Sequence, residues 1–165
     1  MSLEKLGYYL GLALSNAIYI GSITNKDELL IPFGVFFSDK GVRLFPFEAE
    51  TQEEAHRIAQ ETIRQSEELL DGWCYGREGL IPLKDGANSD AYIIEVKLKE
   101  MEEPVIFIQF FEYPFKLTRS LVINAKKTVV DNILENSKEF EDALHSGAES
   151  HKVAGEHWYK FKDYI

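Results

Sequence analysis

Three of the four histidines in this chain stand six residues apart, at His145, His151 and His157, with Glu149 and Glu156 between them. A zinc site needs three or four nitrogen, sulfur or oxygen ligands converging at about 2 Å. Strong signals for one pin the ligands to a single helix face, as in the His-Glu-x-x-His motif. Gly147 interrupts that geometry, because glycine after a periodic run reads as a helix stop. His145 is then expected at a helix end, where a cationic imidazole is favoured by the dipole. Residues 146–156 read as a polar linker to an aromatic segment anchored by Trp158, Phe161 and Ile165. His145, His151 and His157 are the candidate ligands, but neither a metal nor another cofactor is expected.

Cys74 is the sole thiol. A nucleophilic cysteine needs a nearby base and a depressed pKa. No histidine is close in sequence, so His56 or His157 would have to approach in space, and a packed strand thiol is the plainer role. Glu112 and Gln109 are the polar positions in the apolar run VIFIQFFEY. A buried carboxylate can act as general acid or base; its ordinary role is an ion pair with an arginine such as Arg77 or Arg119. The candidates for catalysis are therefore Glu112, His56 and Cys74. No glycine-rich phosphate loop and no serine nucleophile elbow occurs.

GWCYGREG places Trp73, Tyr75 and Arg77 on one face of a strand by period two. These three types are enriched in binding hot spots, which makes them the candidate partner-facing patch. The competing role is burial of Trp73 and Tyr75 beneath a helix.

Composition narrows the classes. A chain of 165 residues, 45% hydrophobic and 13% aromatic, sustains a single core over 1–165. A net charge of −10 argues against nucleic acid and favours a basic protein partner. One cysteine excludes an internal disulfide and suits a reducing cytoplasm. Residues 6–24 carry no charge, yet Ser15, Asn16 and three tyrosines dilute them, so a buried helix is expected rather than a membrane span or signal peptide.

The elements that must position these residues follow from periodicity. Leu6, Leu10, Ala13, Ala17 and Ile20 predict a helix over 3–21, with Gly7, Gly11 and Ser15 as a small-residue stripe open to a second helix or a second copy. Two β-rich runs flank Ser38-Asp39-Lys40-Gly41 as a hairpin, with Pro32 and Pro46 at strand ends or on a free edge. TQEE opens a helix over 51–70 with a capping box. Strands follow at 73–83, 92–98 and 105–113, the last expected at the sheet centre because both its faces are apolar. A third helix runs from Asn124 to Leu144.

The expected fold is α+β, a single mainly antiparallel five-stranded sheet with helices packed against it, in the order α-β-β-α-β-β-β-α plus a C-terminal tail. That order is similar to the roadblock and profilin-like two-layer folds, whose members are mostly scaffolds and interaction modules. The expected function is an acidic cytoplasmic protein-interaction module, self-associating as a homodimer or inhibitor-like. The alternative is an enzyme or small-ligand binder with a pocket between sheet and helices.

Overall fold

A computed structural model describes all residues, Met1–Ile165. The chain runs through α1 (Leu3–Ile23), β1 (Phe33–Ser38), β2 (Gly41–Pro46), α2 (Gln52–Ser66), β3 (Gly72–Pro82), β4 (Asn88–Leu98) and β5 (Val105–Glu112). It continues with β6 (Lys116–Leu117), β7 (Val122–Asn124), α3 (Lys127–Glu135), α4 (Ser137–Ser150) and 3-10 helices at Glu67–Leu69, Ala154–Lys160 and Lys162–Tyr164. The fold is α+β with one antiparallel sheet, as expected. It has seven strands rather than five, because the short β6 and β7 both pair with the far side of β5.

The sheet order is β2-β1-β3-β4-β5-β6. β5 therefore does not lie at the centre. The centre is the long β3–β4 pair, in register from Gly72↔Leu98 to Pro82↔Asn88. β5 is apolar on both faces because β6 and β7 flank it and lift it off the edge. β1 and β2 form the anticipated hairpin, closed by Ser38↔Gly41 with Gly41 at φ +118°, a conformation that glycine adopts without a Cβ penalty. Pro46 closes β2 at the sheet edge.

Ser2 caps α1 by accepting from the Lys5 N–H, and Thr51 caps α2 by accepting from the Glu54 N–H. α1 lies over one face of the sheet, where Leu6, Leu10 and Leu14 meet Val35, Cys74, Ile94 and Phe107 in a core of 26 buried residues. Each large apolar side chain buried there contributes about 1.5–3 kcal/mol. α1 has the length and hydropathy of a membrane span, but 67% of its most apolar window is buried inside the fold. α2 packs on the opposite face, where Ala59 and Ile63 meet Phe36, Phe47, Trp73 and Tyr75. The sheet is thus sandwiched between helices over β1 and β3, unlike the two-layer folds that the element order resembles.

The expected third helix is two helices, broken at Asn136. α4 runs alongside α1 in the same direction. Gly7 faces Phe140 and Ala143, Gly11 faces Leu144, and Gly147 faces the Tyr8 backbone; a Cβ at Gly11 or Gly147 would overlap a carbonyl oxygen. The small-residue stripe of α1 is therefore filled by α4 of the same chain and is not open to a second copy. Gly147 does not stop the helix, because its lack of a side chain lets α4 continue against α1. Residues 146–156 are accordingly no linker. They comprise the last turn of α4, a tight turn and the start of a 3-10 helix, with Gly147, Ala148 and Ala154 buried.

Candidate functional site

The residue types singled out in the sequence do not converge on a catalytic or metal centre. The three C-terminal histidines are each engaged separately. His145 lies in mid-helix, not at a helix end, and its Nδ1 accepts from the Trp158 indole N–H at 3.0 Å. His151 accepts at Nδ1 from the Val153 and Ala154 N–H groups at 3.1 and 2.9 Å, which leaves Nε2 to donate to Asn16 Oδ1 at 3.1 Å. His157 stacks on Tyr19 at 4.8 Å. No group of three His, Cys, Asp or Glu side chains has metal-holding geometry. Cys74 is fully buried on the α1 face and donates weakly to the Tyr9 carbonyl at 3.5 Å. Burial pushes its thiol well up, the wrong direction for a thiolate nucleophile.

Glu112 is exposed and paired with Lys116 at 2.8 Å, so it is neither buried nor aimed into a pocket. Gln109 is the buried polar residue of β5. Its amide donates to the Phe110 and Arg119 carbonyls at 3.2 and 3.0 Å, while Oε1 is buried without a partner.

The α2 face does assemble titratable side chains. His56 projects from α2 onto Tyr75 of β3, with Nδ1 at 2.9 Å from the phenol oxygen. Arg77 follows two residues along β3, half-buried, with its Nε buried and unpaired. Glu95 lies directly across from Tyr75 on β4. A shallow cavity of about 350 Å³ lies beside them, lined by Gln52, Glu53, His56, Tyr75, Arg77 and Glu78. Burial raises the Glu95 carboxyl, against the pull of Arg77 and His56. Burial likewise pushes the Tyr75 phenol up to about 12, with Arg77 opposing. The phenol is held neutral, so the His56–Tyr75 pair is a hydrogen-bonding unit rather than a nucleophile.

Trp73 and Tyr75 are buried beneath α2, the role that competed with a partner-facing patch. Trp73 donates to Glu67, whose carboxylate also pairs with Lys97; the Lys97 hydrogen bond holds Glu67 below its usual range. Of the expected patch only Arg77 reaches solvent. Glu95 was legible only as an outward-facing strand residue, since nothing local says that α2 crosses β3 beside it.

A second region was anticipated only in the reading of Pro46 as a strand-end or free-edge residue. β2 pairs only with β1, and its side chains are exposed or half-exposed throughout. The Phe47 N–H donates to the Pro32 carbonyl at 2.7 Å, so the odd-numbered residues of this segment turn their backbone groups towards β1. Strand alternation then turns the N–H groups of Val42 and Leu44, and the carbonyls of Val42, Leu44 and Pro46, to the open side. Val42 is 46% and Leu44 36% exposed. Between β2 and the helices runs a groove of about 630 Å³, lined by Tyr8 and Leu12 of α1, residues Val42–Phe45, and Ser150–Lys152 at the end of α4.

Compared with known proteins, the chain matches no family model, no curated protein and no solved structure.

Proposed function

We propose that the protein is an interaction module that binds a partner protein along the free edge of β2. One observation carries this reading: a six-residue edge strand leaves two N–H groups and three carbonyls open beside exposed Val42 and Leu44. Sheet edges in folded proteins are ordinarily shortened, charged or covered, because unpaired backbone groups template strand addition. The opposite edge follows that rule, since β6 has two residues and β7 three. An acidic cytoplasmic protein, inhibitor-like or self-associating, is the wider class in which we place it; the charge of −10 supports it.

Leu44→Pro tests the reading. It removes an outward N–H and leaves the β1 ladder whole. The wild type should capture a stoichiometric partner from host lysate, and Leu44→Pro, with an unchanged far-ultraviolet circular dichroism spectrum, should lose it. Equal capture by both proteins counts against the edge.

A second reading, a small-ligand site at His56, Tyr75, Arg77 and Glu95, is favoured by the unpaired Arg77 Nε. A metabolite that raises the melting temperature of the wild type but not of Arg77→Ala would support it.

A further inference from the structure

We infer that the guest of the β2 edge is an extended segment alternating apolar and acidic side chains, its apolar residues seated in the groove against Val42, Leu44, Tyr8 and Leu12 and its carboxylates on the opposite face beside Arg43. This inference rests on the interaction reading above and specifies the partner's chemistry.

The alternation follows from the geometry of an added strand. A guest bonded to Val42 and Leu44 continues the pleat of β2, so every second side chain enters the groove and the others point to the opposite face. The groove side of β2 presents Val42 and Leu44. Arg43 points to the other face, where its guanidinium lies over the Phe45 ring at 5.4 Å. Lys152 stands on the groove side, at the rim beyond α4, and does not face the guest's outward side chains.

Charge identifies the second half of the pattern. The chain holds 28 acidic and 18 basic residues, yet the nine residues lining this groove include two cations and no acid. The net charge of −10 favours a basic partner at long range, but exposed charges beyond about 8 Å are screened at physiological ionic strength. Arg43, the one charged residue of β2 and the one on the face of the guest's outward side chains, therefore decides its sign. A second copy of this chain fits the edge less well. Pairing β2 with itself about Arg43 sets two guanidinium groups opposite each other, and pairing it about Leu44 loses a bond at each Pro46, which has no N–H to give.

The experiment uses two fluorescein-labelled octapeptides, acetylated and amidated, alternating valine with glutamate or valine with lysine. Fluorescence anisotropy should show the glutamate peptide binding the wild type at least about tenfold more tightly than the lysine peptide. Arg43→Glu should reverse that order, and Leu44→Pro should bind neither. Amide hydrogen exchange on the wild type gives a readout independent of variant folding: the Val42 and Leu44 N–H groups should gain protection when the glutamate peptide is added. If both peptides protect these amides equally, or the lysine peptide binds more tightly, the edge stands and the acidic guest is overturned. If neither peptide protects them, this guest is overturned, and the Leu44→Pro capture experiment decides separately whether the edge binds protein. A concentration-dependent dimer abolished by Leu44→Pro would assign the edge to a second copy and overturn the proposal.

Discussion

The two faces of the sheet are built by different rules. On the α1 face, two helices pack so closely that glycine is required at Gly7, Gly11 and Gly147, and Trp158 of the tail seals the end. On the α2 face, a single helix covers β1 and β3 with a core of six buried residues, and ionisable side chains reach the sheet surface beside it. The first face is a stability device that also buries the polar side chains of Ser15, Asn16 and Gln109. The second keeps polar groups at half-burial, where they are perturbed but still reachable. Binding chemistry belongs on the second face or at the open edge, where a groove beside α1 and the end of α4 stays accessible.

The tryptophans provide the largest test of this difference. Trp158→Ala removes a side chain 1% exposed and bonded to His145, and should cost about 4 kcal/mol in urea unfolding. Trp73→Ala, on the face that relaxes more easily, should cost about 1 kcal/mol less than Trp158→Ala. Equal losses would mean that the α2 face is as tightly packed as the other. Gly11→Ala sharpens the same point: the new Cβ would overlap the Leu144 carbonyl, and the expected cost is about 2–3 kcal/mol despite alanine's better helix propensity. An unchanged melting temperature would show that α1 and α4 can separate freely.

The faces should also respond to pH with opposite signs. Burial lowers His151 from its usual 6.5, and its Nδ1 already accepts two backbone N–H groups. Its contribution is complete above pH 6.5, where it is neutral in both states, and is lost as pH falls towards the lower folded value. Glu95 is raised from its usual 4.5, so its contribution is complete below pH 4.5 and is lost as pH rises through the folded value. Chemical denaturation across pH should show His151→Gln flattening the acid-side slope and Glu95→Gln flattening the slope above pH 4.5. The reverse assignment would refute the burial argument at both places.

The smallest effects lie in the polar bonds of the α2 face. Tyr75→Phe removes the contact with His56 and should cost about 1 kcal/mol. Lys97→Ala, which breaks the half-exposed pair with Glu67, should cost less than about 1 kcal/mol.

Much of the architecture was legible because it is local. The Thr51 cap, the Ser38–Gly41 hairpin and the alternation of Tyr92, Ile94, Val96 and Leu98 depend on neighbours within a few residues, and each lies where the pattern put it. The candidate sites were less legible. Trp73 and Tyr75 show the right spacing for a patch, but period two says only that they share a face, not whether a helix covers it. Gly147 reads as a stop because glycine ends many helices, and the close approach of α1 that gives it another role comes from a segment well over a hundred residues earlier.

The sequence alone determined the fold class, the position of most helices and strands, and the overall acidity, since propensity, capping and periodicity act over one or two turns. Only the tertiary structure decided that α2 lies opposite α1, that the glycine stripe is filled from within, that His56, Tyr75, Arg77 and Glu95 meet, and that β2 has an open edge beside a locally basic groove. Those outcomes depend on which apolar faces bury against each other across the chain, and that competition is settled by the whole core at once.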